Sequence, residues 1–503
     1  MYICINYFNV KTSYKMSKKI TDFEPKALWA HFDNICQVPH PSKKEDKIRK
    51  FMVDFGKKAG LETIVDKVGN VIIRKPATPG MEKRMGIVLQ GHMDMVPQAN
   101  TGSTHNFETD PIKLWIDGEW VRATETTLGA DNGMGVAAAM AILESKNLVH
   151  GPIEALITTD EETGMTGAKG LESGILKGEI LINLDSEDEG ELYVGCAGGI
   201  DAVATGKYTE EKLPTGYVGY NLLAKGMKGG HSGMDIILGR ANANKVLFRF
   251  LYGAAEKLGI RIASVQGGSL RNAIPREAFA TIAVPEEKAS KLEKEVRSLE
   301  KILKNEYAAV EPTLEFYCEM IKKPAKVMDS KSQSQYIRAI YACPNGVERM
   351  SDNMEGLVET SDNLAVISIK NGNVSVAALV RSSVDTAKED LAYKIAATFE
   401  LVEGCSVRLS GSYPGWNPNM NSAILKVAQE TYKNLYGKIP EIKAIHAGLE
   451  CGLLVAKYPN WDMISFGPTI RSPHSPDERV HIASVDKFWK FLVEILKNIP
   501  EKK

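Results

Sequence analysis

Short apolar runs alternate with segments of helical periodicity in the first part of the chain. From 28 to 60, apolar residues recur at intervals of three and four, which predicts helical structure ended by Gly60. The runs 87–89, 153–157 and 180–184 each lead into glycine or polar residues and predict strands. Residues 133–145, rich in alanine and methionine, predict a helix between them. Such alternation predicts an α/β fold with a mixed, mainly parallel sheet.

The pattern changes at about residue 206. Residues 278–284 and 373–379 alternate more clearly between apolar and polar, as strands with one exposed face do. A charged helix between them carries an apolar stripe formed by Leu292, Val296, Leu299 and Leu303. This part of the chain predicts an α+β domain with a sheet on one side and helices on the other.

The first pattern returns after the turn-rich stretch GSYPGWNPN. A helix is predicted over 422–436, and an apolar run follows at 463–466. We therefore predict one discontinuous α/β domain, residues 16–205 and 411–503, interrupted by the α+β domain, residues 206–410.

Composition and charge exclude several classes of protein. The chain has 503 residues, of which 44% are apolar and 25% are charged, as is typical of globular proteins. Lysine plus arginine number 62 and aspartate plus glutamate 63, so no basic excess is present to bind nucleic acid or an anionic membrane. No stretch approaches the ~20 apolar residues that span a bilayer. We expect neither nucleic acid nor a membrane as partner.

The cysteines and the first residues indicate a cytoplasmic protein. The seven cysteines are odd in number, widely spaced and without a C-x-x-C motif, which favours free thiols over a disulfide scaffold. Residues 1–15 lack the basic start, long apolar run and cleavage site of a signal peptide. We interpret them as a disordered extension or a misassigned start.

Histidines and carboxylates stand at the ends of the predicted strands or at the start of a predicted helix. In a parallel sheet, such positions meet in the crevice at the carboxyl ends of the strands. Imidazoles with carboxylates are a ligand set for Zn, Mn or Co, and two histidines with three acids suit a pair of ions. Asp94, two residues after one histidine, could orient its ring. The residues are His92, Asp131, Glu161, Glu162, Asp185 and His474.

Each of these motifs alone has a simpler explanation. An H-x-D motif is usually structural, a Glu-Glu pair usually begins a solvated helix, and an Asp before Asn-Gly usually forms a turn. Their joint occurrence in this order, each beside glycine or at an element's edge, favours a metal site.

These motifs resemble the di-zinc metallopeptidases that include carboxypeptidase G, tripeptidase T, carnosinase and aminoacylase, and among them the Xaa-His dipeptidases. The resemblance extends from about residue 20 to 500. It rests on LQGHMDMVPQ, TTLGADNGMGVAAAMAIL, TTDEETGMTGA, LINLDSED, GGHSGMDI, RNAIPREA, HAGLECGLL and SPHSPDE.

The resemblance implies a role for each residue of the set. Asp131 would bridge two divalent ions, zinc, cobalt or manganese, and would precede an unusual cis peptide bond to Asn132. His92 and Asp185 would complete one ligand shell, and Glu162 and His474 the other. Glu161 would hold the water and act as general base.

The inserted domain would act as a lid over the catalytic domain. His231 matches a lid histidine that stabilises the oxyanion, while Asn272 and Arg381 match residues that bind the substrate's terminal carboxylate. Without the resemblance, all three would be ordinary solvated groups. The HAGLECG stretch would present loop N–H groups near a helix start, a carboxylate cradle. For His446 and Glu450, packing is about as good an explanation.

The resemblance implies hydrolysis of unblocked dipeptides, Xaa-His among them. The alternatives are a related tripeptidase, an N-acyl-amino-acid deacylase, or an inactive metal-binding scaffold on the same fold. Relatives dimerise through the lid, but a long lid could imitate a second subunit, so a homodimer and a monomer both stay open.

Overall fold

The computed structural model describes residues 19–502. The predicted extension at residues 1–15 and Cys4 lie outside the described residues. None of the six cysteines within residues 19–502 forms a disulfide bond. By contact density the described chain divides into unit 1, residues 19–191, 426–440 and 464–502, and unit 2, residues 192–425 and 441–463. The functional boundaries at 205/206 and 410/411 stay a prediction.

Helices and strands alternate along both units. In chain order the α-helices are α1 (Lys26–Cys36), α2 (Asp46–Lys58), α3 (Ala130–Glu144), α4 (Glu161–Gly164), α5 (Thr166–Gly170), α6 (Ala243–Leu258), α7 (Ala289–Glu306), α8 (Ser330–Ala342), α9 (Asp385–Glu400), α10 (Ala423–Tyr436), α11 (Glu450–Lys457) and α12 (Ile482–Lys497). The strands are β1 (Glu62–Val65), β2 (Val71–Lys75), β3 (Ile87–His92), β4 (Leu114–Asp117), β5 (Trp120–Ala123), β6 (Ile153–Thr158), β7 (Ile180–Asn183), β8 (Glu191–Cys196), β9 (Gly198–Lys207), β10 (Glu210–Lys212), β11 (Tyr217–Lys225), β12 (Gly230–His231), β13 (Arg261–Gly267), β14 (Ala273–Ile274), β15 (Ala278–Pro285), β16 (Glu315–Ile321), β17 (Lys326–Met328), β18 (Gly346–Met350), β19 (Val358–Lys370), β20 (Asn373–Ser382), β21 (Ser406–Tyr413), β22 (Glu441–Ile445), β23 (Asp462–Ser465), β24 (Ile470–Arg471) and β25 (Arg479–His481).

The central sheet of unit 1 is mixed, as predicted. Its strands lie in the order β1-β2-β6-β3-β7; β3 is parallel to β6 and β7, whereas β2 is antiparallel to β1 and β6. Every residue of β3, β6 and β7 is buried, which explains why these strands are continuous apolar runs. Because the three strands are parallel, their carboxyl ends meet at one edge of the sheet.

The predicted helical stretch from 28 to 60 is two helices rather than one. α1 ends at Cys36 and α2 begins at Asp46. Pro39 and Pro41 lie between them, and a proline inside a helix removes a backbone hydrogen bond and clashes with the preceding turn. The prediction of helical structure is confirmed for α1 and α2, but it was wrong for the residues between them, which are not helical.

Unit 2 contains a large antiparallel sheet with helices packed against it. The strands follow the order β16-β11-β15-β13-β19-β20-β9-β21, and β18 pairs with β19. The predicted strands at 278–284 and 373–379 are confirmed as β15 and β20. The apolar stripe of α7 is buried at Leu292, Val296 and Leu303, and Leu299 packs partly buried against the same core. Residues 19–502 include no helix long and apolar enough to cross a bilayer.

Candidate active site

Five predicted ligands and the predicted base of unit 1 come together where the buried strands end. His92 is the last residue of β3, and Asp131 is the second residue of α3. Glu161 and Glu162 open α4, which begins three residues after the end of β6. Asp185 follows β7 by two residues, and His474 lies between β24 and β25. The parallel strand order therefore assembles side chains that are distant in the sequence.

Asp131 presents one carboxylate oxygen to each histidine. Its Oδ1 lies 3.1 Å from His92 Nε2, and its Oδ2 lies 3.2 Å from His474 Nε2. His92 Nε2 is also 3.4 Å from Asp185 Oδ1, and His474 Nε2 is 2.9 Å from Glu162 Oε2. The predicted cis peptide bond Asp131–Asn132 is present. Asp131 thus belongs to two groups of three potential metal ligands, one with His92 and Asp185 and the other with Glu162 and His474.

These two groups fit divalent cations. Candidate ligand atoms of His92, Asp131 and Asp185 lie within 4.8 Å of one another, as do those of Asp131, Glu162 and His474. The Oε1 atom of Glu162 is buried and has no hydrogen-bond partner among residues 19–502. Burying an unpaired carboxylate oxygen is costly, so a cation is the natural partner for it.

The pKa values of the histidines report the negative potential of the cluster. Burial lowers the pKa of His92, but the carboxylates of Asp185, Asp131 and Asp94 outweigh it and raise the pKa well above its usual value. Hydrogen bonds to Asp131 and Glu162 raise the pKa of His474 to about 11. A site that attracts a proton so strongly also attracts a cation.

Asp94 is buried behind the cluster and connects two of its parts. The nearest partner of His92 Nδ1 is the backbone carbonyl of Asp94 at 3.0 Å, and the Asp94 Oδ1 atom lies 3.5 Å from the same nitrogen. The carboxylate oxygens of Asp94 also accept the backbone N–H groups of Glu161 at 2.9 Å and Glu162 at 3.3 Å, and the Ser42 hydroxyl at 2.8 Å. One carboxylate therefore contacts the His92 ring and the start of α4.

Two further carboxylates beside the cluster were missed in the sequence. Burial, with the nearby charges of Asp131 and Asp185, raises the pKa of Glu187 to about 8. Glu478 is buried and accepts backbone N–H groups from the segment that leads into Asp131. Both lie in the stretches LINLDSED and SPHSPDE, so their proximity to a predicted ligand was the available signal.

The three predicted substrate residues lie together within unit 2. In the β12–β14 pair, His231 is opposite Ala273, and the Ser232 N–H donates to the Asn272 carbonyl at 2.9 Å. Arg381 Nη2 lies 3.5 Å from His231 Nε2. Asn272 is exposed, whereas only 5% of Arg381 is exposed, so the two residues differ in their access to solvent.

Neighbouring polar groups orient Arg381 and His231. Arg381 donates to the Ser232 hydroxyl at 3.3 Å and to the Tyr413 hydroxyl at 3.1 Å. His231 Nδ1 accepts N–H groups from Gly233 at 3.2 Å and Met234 at 3.0 Å. Burial and the charge of Arg381 lower the pKa of His231, which favours the neutral ring.

The HAGLECG stretch leads into α11, which begins at Glu450 as the predicted helix start requires. His446 is buried, and its Nε2 lies 2.7 Å from the Ser361 hydroxyl. Burial, Arg381 and His231 lower the pKa of His446 to about 3, which keeps its ring neutral. These contacts account for His446 as a packed residue; the carboxylate cradle stays a prediction.

A family profile matches most of this chain, and two known proteins match nearly all of it. The sequence profile of peptidase family M20/M25/M40 matches residues 88–498. The cytosol non-specific dipeptidase of Escherichia coli K12 is 48% identical over 484 residues, covering 96% of this chain and 100% of that protein. The solved structure of aminoacylhistidine dipeptidase from Vibrio alginolyticus is 50% identical, with a TM-score of 0.93 over 97% of this chain and 99% of that one.

A more distant structure shares the fold. Aminopeptidase PepT from Bacillus cereus is 17% identical, with a TM-score of 0.57 over 95% of this chain and 99% of its own. The family profile matches most of the chain, and the Escherichia coli relative is matched along its whole length. The chain therefore belongs to peptidase family M20/M25/M40.

Proposed function

We propose that this protein hydrolyses unblocked dipeptides, Xaa-His dipeptides among them, with two divalent cations held by His92, Asp131, Glu162, Asp185 and His474. The observation that carries the proposal is the position of Asp131, whose two oxygens face His92 and His474 separately. The dipeptide substrate follows the two relatives that match at full length, whose names specify a dipeptidase. Zinc is the first expectation for the metal, with cobalt and manganese as alternatives.

Cations at these positions would supply an acidified water and a polarised scissile carbonyl. Side chains of the protein would carry out the proton transfers. We assign Glu161 as the general base that takes the proton of the attacking water and passes it to the leaving amine. Asp94 supports this role because it accepts the Glu161 N–H and so holds the start of α4 in place.

Unit 2 is proposed to bind the substrate. The guanidinium of Arg381 is a rigid fork of donors suited to a carboxylate, and Asn272 would add a neutral donor. His231 would donate to the oxyanion that forms at the scissile carbonyl. A clamp on the terminal carboxylate selects short substrates with a free C-terminus. Because the name of the Escherichia coli relative places that protein in the cytosol, we further propose a cytosolic location. A homodimer stays one of two expectations.

A substrate panel on metal-reconstituted protein tests this function. The panel contains several dipeptides including Xaa-His, the matching tripeptides, and N-acetyl amino acids, each assayed with zinc, cobalt and manganese. We expect the dipeptides to be cleaved with the highest kcat/KM. A higher kcat/KM for tripeptides would indicate a tripeptidase, and one for the acetylated amino acids a deacylase. Metal-loaded protein that cleaves none of them would contradict the proposal.

A further inference from the structure

A single buried carboxylate holds the backbone that leads into Asp131. Only 2% of Glu478 is exposed. Its Oε2 accepts the N–H groups of Leu128 at 2.7 Å and Gly129 at 3.0 Å, and its Oε1 accepts those of Ala130 at 2.8 Å and Asp131 at 3.2 Å. Four consecutive amides therefore converge on one side chain.

This contact supplies what the local sequence lacks. The first N–H groups of a helix have no partner within the helix, and the residue before α3 is Gly129, which has no side chain to cap them. Gly129 has a φ of +72°, and a Cβ there would lie 3.0 Å from the Met95 sulfur. The turn into α3 thus depends on Glu478, which lies 347 residues from Asp131 in the sequence.

The same segment also carries a proposed ligand. Glu478 follows His474 by four residues in SPHSPDE, and Arg479 begins β25 directly after it. His474 approaches Asp131 through its side chain, while Glu478 holds Asp131 through its backbone. The short stretch from His474 to Glu478 therefore contacts both the side chain and the backbone of Asp131.

We propose that Glu478 is a positioning residue that sets the orientation of Asp131 and thereby allows one carboxylate to serve both cations. This inference rests on the proposed function, since it requires cations at Asp131. Substitution of a residue that hydrogen-bonds to a metal ligand typically weakens metal binding by about 10- to 100-fold. A helix cap with no influence on the cations is the competing explanation.

Two substitutions separate these explanations. Glu478→Gln keeps the shape of the side chain but turns an NH₂ group towards two of the four N–H donors. Glu478→Asp keeps the charge but shortens the side chain by one methylene, so that it no longer reaches all four. Glu154→Gln is the matched control: Glu154 is also buried in unit 1 and accepts the N–H groups of Lys177 at 2.6 Å and Gly178 at 2.8 Å, but no proposed ligand.

The measurement is a Co²⁺ titration of metal-free protein, followed by visible absorption, with thermal unfolding recorded for each variant. Both Glu478 variants should bind Co²⁺ at least about 10-fold more weakly than the wild type and show an altered spectrum at saturation. Glu154→Gln should lose thermal stability but keep the wild-type affinity. Wild-type affinity and spectrum in either Glu478 variant would overturn the positioning role. A wild type that binds no Co²⁺ would instead contradict the proposed function, and this inference with it.

Hydrogen exchange of the metal-free wild type keeps the proposal testable if the variants do not fold. The amides of Leu128, Gly129, Ala130 and Asp131 should exchange slowly before any cation is added, because the carboxylate already holds them. Exchange at the rate of exposed amides, with protection appearing only on addition of Co²⁺, would show that the cation orders this turn and that Glu478 does not.

Discussion

Two hydrogen-bond donors, Nε2 of His231 and Nη2 of Arg381, lie 3.5 Å apart in unit 2. Nδ1 of His231 accepts two backbone N–H groups, so in the neutral ring the proton is on Nε2. The guanidinium of Arg381 has only donors. Two donors that face each other cannot satisfy one another, so both can donate to acceptor oxygens of a bound substrate. The pair supports the roles proposed for these residues.

The first prediction concerns the free carboxylate of the substrate. Amidation of a dipeptide should lower kcat/KM by at least about 10-fold in the wild type, because Arg381 loses its charged partner. Arg381→Ala should lower kcat/KM for the free dipeptide and remove the difference between acid and amide. The measurement is steady-state kinetics on a dipeptide, its amide and the matching tripeptide.

Arg408→Ala, at an exposed position of β21, is the control and should keep the wild-type preference. Equal cleavage of acid and amide by the wild type would remove the clamp from the mechanism.

The second prediction separates the base from its neighbour. Glu161→Gln should lower kcat by at least about 100-fold, since an amide cannot take the proton of water. Its metal content should stay near that of the wild type. Glu162→Gln should instead lose metal, because it removes a carboxylate that lies 2.9 Å from His474. Metal analysis beside single-turnover kinetics measures both effects. Near-wild-type turnover in metal-loaded Glu161→Gln would exclude Glu161 as the base.

The third prediction concerns the shared carboxylate. Chelation should abolish activity, and zinc, cobalt or manganese should restore it. Asp131→Ala should reduce binding of both cations together, because its two oxygens face both histidines. Asp185→Ala should weaken mainly one, since Asp185 belongs to the His92 group alone. Calorimetric titration of the metal-free variants measures both stoichiometries. Loss of a single cation in Asp131→Ala would refute the bridging role, and activity in exhaustively metal-free wild type would refute metal dependence.

The fourth prediction concerns stability and pH. Asp362 in β19 is buried, and burial raises its pKa to about 8 despite the nearby charge of Lys245. The unfolded chain releases this proton near pH 4, whereas the folded chain keeps it until about pH 8. The stability that the protonated form contributes is therefore present at low pH and is lost as pH rises through this range.

Asp362→Asn removes that titration. The variant should gain unfolding temperature relative to the wild type between pH 5 and pH 9, with the gain growing as pH rises towards 8. Asp352→Asn, on the surface of the same unit, is the control and should follow the wild-type curve. Thermal unfolding across this pH range measures the effect. An advantage for Asp362→Asn that is independent of pH would show that the carboxyl does not titrate as the structure indicates.

The sequence by itself determined most of the elements and which residues gather at the strand ends of unit 1. Continuous apolar runs specify buried strands such as β3 and β6, and polar residues at their carboxyl ends, among them His92 and Glu161, then share one edge because the strands are parallel. This inference needs only local periodicity and a rule of sheet geometry. The stripe on α7 predicted its buried face for the same reason.

Tertiary structure alone decided which groups hold the site in place. Glu478 caps α3 from 347 residues away, and Tyr413 orients Arg381 from 32 residues away. Asp362 is an ordinary acid in the sequence and has a raised pKa only because packing excludes water from it. Hydrogen bonds and burial depend on which surfaces meet after folding, and local periodicity carries no information about such distant partners.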